Sequence, residues 1–302
     1  MKNYIYNINI LTNEDDVSYY LLGAFISDGN IHISNNKYYT SSIGSIDKDW
    51  IDSMAQKFSP NLPIKKIGNF YNFRMYNPII GKWFISHNCI PNKSLIVTMP
   101  TIPSQYIPDF IRGVFDGDGC MSYYSDKNKI AKNFKSYICG SSLSFLKSLK
   151  QILLDLNIHS SIYNKKQNIN HKIKGKKVKT FNEHWRLELN KTNTMKFLDI
   201  IYYQNHKISL NRKFKKYQTM KQIYLEEKLN NNMLNKKLKI QWPSNDKLIQ
   251  LISENTYMAV SRLLGVSNTA IRCYMKNRGI FIPKISGSGK KNITIHKSKI
   301  LS

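Results

Sequence analysis

Two stretches, Leu21-Leu22-Gly23-Ala24-Phe25-Ile26-Ser27-Asp28-Gly29 and Ile111-Arg112-Gly113-Val114-Phe115-Asp116-Gly117-Asp118-Gly119, decide the fold of this chain. Each runs an apolar segment into an Asp-Gly pair, and the two pairs lie ninety residues apart (118 − 28). Tyr20, Leu21, Ala24 and Phe25 recur at helical spacing, as do Phe110, Ile111, Val114 and Phe115, so each copy reads as the end of a helix. Gly29 and Gly119 are expected to stop those helices by entering the left-handed conformation. Small residues stand four apart, Gly23 with Ser27 and Gly113 with Gly117, and residues four apart share a face. Glycine inside a helix costs about 1 kcal/mol relative to alanine. Two bare faces therefore imply two backbones in close approach. The expectation is two similar half-domains meeting at a shared helix pair.

That pairing would set Asp28 and Asp118 side by side at two helix C-termini. A helix C-terminus carries a partial negative charge, and neighbouring carboxylates repel. A divalent cation resolves the conflict. Carboxylates with backbone carbonyls, and no thiolate or histidine nearby, suit a hard ion such as Mg²⁺ (or Mn²⁺). A single Asp-Gly would read only as a turn; the duplication makes a shared site the better reading.

These residues resemble the LAGLIDADG homing endonucleases. Phe110 to Gly119 (FIRGVFDGDG) is a close match and Tyr20 to Gly29 (YLLGAFISDG) a looser one, with Ile26-Ser27 where the family has Asp and a small residue. The eighth motif position, which binds metal in the family, is Asp in both copies. The resemblance spans roughly residues 14–229 and takes in Pro91-Asn92-Lys93-Ser94 and Leu210-Asn211-Arg212-Lys213. Two motifs in one chain imply the monomeric, pseudo-symmetric form.

Pattern places the remaining elements. After the first Asp-Gly come strands near 31–34 and 38–46, a helix near 49–58, a hairpin over 65–75 turning at Gly68-Asn69, and a helix near 79–86. The second half repeats this, with strands near 120–125, 135–140, 159–164 and 181–189 and helices near 143–156 and 194–203. The fold class is α+β: two αββαββα half-domains, 1–105 and 106–240, joined by the proline-rich link 100–108. The resemblance implies that their antiparallel sheets form a DNA-binding saddle. Ribbons of this kind enter the major groove, and the candidate groove residues are Asn72, Arg74, Lys135 and Arg186. The basic run 165–179 (KKQNINHKIKGKKVK) would grip phosphates, or stay unordered until DNA arrives.

Residues 241–285 read as a separate helical module. Ala259, Val260, Leu263 and Leu264 precede a Gly265-Val266-Ser267 turn, and a polar helix follows with Ile271 and Met275 inward. This resembles a helix-turn-helix capped by Ser267, offering Asn268, Thr269, Arg272 and Lys276 to DNA. The bland alternative is a stabilising helical hairpin. Residues 286–302 form a small, polar, basic tail.

Charge supports a polyanionic partner. The net charge of +27 divides as +2 over 1–105 (9 Lys/Arg against 7 Asp/Glu), +17 over 106–240 (27 against 10) and +8 over 241–302 (10 against 2). Such a field favours nucleic acid and salt-dependent binding. The cysteines, Cys89, Cys120, Cys139 and Cys273, form no C-x-x-C pair, so neither zinc nor a disulfide framework is indicated. With no long apolar run and no signal-peptide pattern, a reduced, intracellular, membrane-free monomer is expected. Richness in Asn, Lys, Ile and Tyr points to an A/T-rich genome.

For mechanism, the resemblance implies a metal-dependent double-strand break with short 3′ overhangs at a long DNA site. Asp28 and Asp118 would hold the metal, helped by the backbone carbonyls of Ser27 and Gly117. The family also places a lysine near each scissile phosphate. Lys93 is the candidate in the first half. In the second it is Lys207, because His206-Lys207-Ile208-Ser209-Leu210 resembles Asn92-Lys93-Ser94-Leu95, with Lys213 as competitor. Two other functions stay open: a maturase that holds intron RNA, and a non-catalytic transcription regulator. The regulator reading predicts a lost motif acid, and both acids are present.

Overall fold

The computed structural model of the chain describes residues 4–35, 37–125, 132–165, 170–173, 176–179, 184–237 and 241–280. The chain divides into two compact units, Met1–Glu227 and Lys228–Ser302.

The first unit opens with a one-turn helix, α1 (Asn9–Thr12), and then α2 (Asp16–Asp28). Asp15 starts α2 by accepting from the N–H groups of Val17 and Ser18, both at 2.9 Å, while the Ser18 hydroxyl accepts from the Asp15 N–H. This reciprocal cap satisfies donors that a helix end leaves unpaired. There follow β1 (Gly29–Ser34), β2 (Tyr38–Ser45), α3 (Lys48–Phe58), β3 (Ile64–Ile67), β4 (Phe70–Met75) and α4 (Pro78–Ser86), the last capped by Asn77 with proline in its first turn. The order then repeats with α5 (Ile107–Asp118), β5 (Gly119–Ser125), β6 (Lys132–Gly140), α6 (Leu143–Asp155), β7 (Ser161–Lys165), β8 (Asn170–Ile173), β9 (Lys176–Lys179), β10 (His184–Leu189) and α7 (Lys191–Ile201). A long helix, α8 (Asn211–Lys237), leads out.

Both four-stranded sheets are antiparallel and share one topology: β1-β2-β4-β3 in the first half, β5-β6-β10-β7 in the second. The expected α+β class and the αββαββα order hold. Two elements depart from the sequence reading. The basic run 165–179 contains a separate two-stranded sheet, β8 with β9, inserted before the last strand of the second half. The segment after residue 210 is one 27-residue helix. The division between units falls inside that helix, where the sequence reading put it near 240.

One apolar core runs through both halves. Phe25 stacks on Phe84 at 4.2 Å, and Phe115 meets Phe197 edge-on at 5.1 Å. Alternation along the strands keeps Ile43, Phe73 and Met75 on the inner face of the first sheet and Phe134, Ile138, Leu187 and Leu189 on that of the second. Arg112 of α5 is wholly buried but fully engaged. Its Nε and Nη1 donate to the carbonyls of Ile208 and Ile201 at 2.9 Å, and Nη2 donates to Asp109 at 2.6 Å. A buried guanidinium is tolerated when its charge and donors are both matched.

The second unit, taken by itself, holds α9 (Asn245–Glu254), α10 (Tyr257–Leu264) and α11 (Asn268–Asn277). Leu248, Ile252, Val260, Ile271 and Met275 make its small core, and Trp242 stacks on Tyr274 at 4.0 Å. Gly265 ends α10 in the left-handed region (φ +63°). The Ser267 hydroxyl then caps α11, accepting from the Ala270 N–H at 3.1 Å. Leu263 is 68% exposed. Residues 286–302 lie outside the described residues. No described helix is long and apolar enough to cross a membrane.

Candidate active site

The site is built by the packing of α2 on α5. A Cβ placed on Gly23 would stand 2.1 Å from the Phe110 carbonyl oxygen, and one on Gly113 would stand 2.2 Å from that of Tyr20. No side chain fits, so backbone lies on backbone. One turn on, a Cβ on Gly117 would fall 2.0 Å from Ser27 Oγ and 2.8 Å from Asp28 Oδ2. Asp28 thus lies directly over the last turn of α5, whose final residue is Asp118.

The two terminal glycines work differently from expectation. Gly29 (φ −77°) and Gly119 (φ −85°) are extended, not left-handed. Each helix passes straight into a strand. The glycine is required because a Cβ would strike Phe25 at 2.6 Å in the first copy and Phe115 at 2.2 Å in the second.

Both aspartates keep exposed surface at the helix ends, yet the protein around them desolvates their carboxyl groups. Loss of solvent raises both above the ordinary carboxylate range. For Asp28 the lysines at 213 and 93 and Arg212 oppose the rise. Asp118 is pushed up to about 7, first by desolvation and then by the charge of Asp28, against Lys213 and Lys93. Two acids at adjacent helix ends, one raised by the charge of the other, form a site that two lysines and an arginine offset only in part.

Two buried lysines approach from opposite halves. Lys93 lies in a short 3₁₀ turn, Lys93–Leu95, and its ammonium donates to the Gly29 carbonyl. Lys213, in the first turn of α8, donates to the carbonyls of Phe115 (2.6 Å), Asp116 (2.7 Å) and Gly119 (2.6 Å), with Gly117 at 3.5 Å. Gly29 and Gly119 are equivalent motif positions, so the two lysines are equivalent too. Burial lowers Lys213 to about 8, with Asp116 opposing. Lys207 does not join them. It is exposed and pairs with Asp16 at 2.8 Å, at the far end of α2 from Asp28. The second-half lysine at the site is Lys213, the residue held as competitor.

The donor set fits a hard divalent cation. Among the described residues no cluster of three or more His, Cys, Asp or Glu could hold a metal. Two carboxylates would supply the side-chain ligands, and the carbonyls of Ser27 and Gly117 lie in the same two helix ends. Water and a ligand's own oxygens would complete the shell, as Mg²⁺ commonly permits.

The candidate nucleic-acid residues lie on the outer faces of the two sheets. Asn72 and Arg74 of β4 pair with Gly44 and Ser42 across the ladder, on the face opposite Phe73 and Met75. Lys135 and Arg186 converge on Glu188, at 2.8 and 3.3 Å, and the Arg186 guanidinium lies 3.9 Å over the Tyr137 ring. Arg186 Nε is buried without a partner. Glu188, missed in the sequence, is held below the usual carboxylate range: desolvation raises it, but hydrogen bonds from Lys135 and Arg186 outweigh that. In the second unit Thr269, Arg272 and Lys276 are exposed on α11, while Asn268 is half-buried with an unpaired Oδ1. Of the run 165–179, residues 166–169 and 174–175 lie outside the described residues.

No curated protein matches the chain. Among solved structures it is similar to variants of the homing endonuclease I-DmoI, at 16% identity over 66% of this chain and 94% of that one, with a TM-score of 0.42. It is also similar to the LAGLIDADG homing endonuclease I-GzeII in complex with its DNA target (14% identity, 75% and 98% covered, TM-score 0.46). A third is the meganuclease I-SmaMI bound to uncleavable DNA (12%, 68% and 90%, TM-score 0.47). Residues 106–201, which hold the second motif helix and its sheet, match the model of the LAGLIDADG-like domain.

Proposed function

We propose that the protein is a site-specific, metal-dependent DNA endonuclease of the homing type, cutting both strands and leaving short 3′ overhangs. The observation that carries the reading is the pairing of Asp28 with Asp118 at two helix ends that pack backbone to backbone. Phosphodiester hydrolysis needs an in-line water and relief of charge on the phosphate. Bound divalent metal supplies both. Asp28 and Asp118 would hold it, with the Ser27 and Gly117 carbonyls, each acid serving one strand. Lys93 spends one donor on the Gly29 carbonyl and has others for a phosphate oxygen. Lys213 satisfies its donors with three carbonyls, so what it offers is fixed positive charge beside the acids. The sheet faces bearing Asn72, Arg74, Lys135 and Arg186 would read the groove, and the second unit would add contacts through Asn268, Thr269, Arg272 and Lys276.

The test is incubation with the duplex of the protein's own locus lacking the intervening element, in Mg²⁺ and in chelator. Metal-dependent cutting of both strands is expected. Tight binding without cutting would replace the endonuclease by a regulator. Failure to bind that duplex, with retention of structured intron RNA, would replace it by a maturase.

A further inference from the structure

Beneath the paired acids lies a buried polar network that neither motif alone explains. The Asp116 carboxylate, 1% exposed, accepts three hydrogen bonds. The Tyr20 hydroxyl donates from α2 at 2.7 Å, the Tyr202 hydroxyl from the end of α7 at 2.6 Å, and the Leu210 N–H from the turn before α8 at 2.8 Å. Tyr20 in turn accepts from Trp50 Nε1 of α3 at 2.6 Å. Three donors on one carboxylate amount to a full anchor in an interior that otherwise penalises charge. Burial and the Asp116 charge push both tyrosines well above their ordinary range, so the hydroxyls stay donors.

The Leu210 contact matters most. The Leu210 carbonyl accepts the first bonds of α8, from the N–H groups of Lys213 (2.9 Å) and Phe214 (3.0 Å). Fixing Leu210 therefore fixes the turn from which Lys213 reaches back to the end of α5. The first half has no such device, because Ile26 occupies the position equivalent to Asp116. Lys93 is instead carried by the 3₁₀ turn that follows Asn92 in the left-handed conformation (φ +55°).

We propose that Asp116 is the positioning residue of the second half-site: its buried carboxylate pins the chain at Leu210 and so holds Lys213 against the end of α5. The two halves then differ in how their lysines are held, and loss of Asp116 disturbs one half-site and spares the other. The functional side of this rests on the endonuclease reading; the structural side does not.

The experiment uses the full chain and the variants Asp116→Asn and Tyr202→Phe, checked for folding by circular dichroism. Amine-reactive labelling read by mass spectrometry reports each lysine separately. Lys213 is expected to be protected in the wild type and to label about tenfold faster in Asp116→Asn, the change expected for losing about one charge-assisted hydrogen bond. Tyr202→Phe should show a smaller rise, and Lys93 none. Equal gains at both lysines, or continued protection of Lys213, would overturn the proposal. In a second arm each strand of the target is end-labelled. Asp116→Asn should accumulate duplex nicked in one strand while binding as tightly as wild type, and equal slowing of both strands would overturn the strand-selective role. A wild type that cuts neither strand would remove the endonuclease reading and leave the labelling result to decide the role of Asp116.

Discussion

Substituting Gly113→Ala sets two physical effects against each other. Helix propensity alone favours alanine by about 1 kcal/mol. The structure says the opposite. The new Cβ would stand 2.2 Å from the Tyr20 carbonyl oxygen, 2.8 Å from the Ala24 nitrogen and 3.1 Å from the Gly23 carbonyl carbon. All three are backbone atoms and cannot rotate aside. Restoring even a 3.0 Å approach needs a separation of 0.8 Å (3.0 − 2.2) between α2 and α5. Overpacking of a close-packed core costs roughly 1–3 kcal/mol and sometimes more, and rigid neighbours put this site at the upper end. Net of propensity, a loss of about 2 kcal/mol is expected. With a urea m-value of about 2 kcal/mol/M, the unfolding midpoint should fall by about 1 M. Gly140→Ala is the control: the atoms nearest its Cβ would be in the Leu146 side chain, at an ordinary 3.7 Å, so its midpoint should barely move. The assay is equilibrium urea unfolding followed by tryptophan fluorescence. If Gly113→Ala leaves the midpoint unchanged or raises it, the backbone-on-backbone helix pair is wrong, and the juxtaposition of Asp28 with Asp118 goes with it.

Other consequences are as direct. Asp118, at about 7 in the fold against about 4 in an unfolded chain, stabilises the protein only while protonated, so metal-free stability should fall as pH rises from 4 through 7. Asp118→Asn removes that loss. At pH 8 without metal it should be the more stable protein, by on the order of 1 kcal/mol after allowance for solvent screening, and a variant less stable than wild type would contradict the charge argument. Lys213→Met should reduce cleavage about a hundredfold, as mispositioned or missing site groups do, while Lys207→Ala should leave it within about twofold; the reverse ranking would restore Lys207. Glu188→Gln frees Lys135 and Arg186, so binding to unrelated duplex should tighten and its salt dependence should steepen by about one ion. An unchanged salt slope would mean that this face does not meet DNA.

The parts of the fold legible in sequence are those set by local pattern. The hairpin over 65–75 is legible from its alternation, and the structure turns Phe73 and Met75 inward; the repeated spacing of Gly23 and Gly113 marks the helix pair. The helix α8 was not legible as an element. Its inward residues run from Phe214 through Tyr217 and Met220 to Ile223 and Tyr224, but lysines interleave them, and the sequence from 225 to 237 is mostly Lys, Asn and Glu, so no clean apolar stripe marks its length. The β8–β9 hairpin was hidden for a related reason: a run of lysines masks the weak alternation of Ile173 and Val178. The local likeness of residues 206–210 to 92–95 points to Lys207, whereas the site depends on where α8 begins and which way it points. Asp116 lies 86, 94 and 96 residues from its three partners, a separation at which no local signal exists. Gly29 and Gly119 were recognised as helix ends for the wrong cause, since their small size, not a positive φ, is what the phenylalanines beneath them demand.

The central claim is that one acid from each half serves one strand of DNA in a shared, metal-dependent site. Its most direct test is cleavage of the duplex target in Mg²⁺ by wild type, Asp28→Asn and Asp118→Asn, with each strand end-labelled and binding measured in parallel. The account predicts double-strand breaks by the wild type alone, with both variants binding within about twofold of it. A variant that still makes double-strand breaks at the wild-type rate would contradict it.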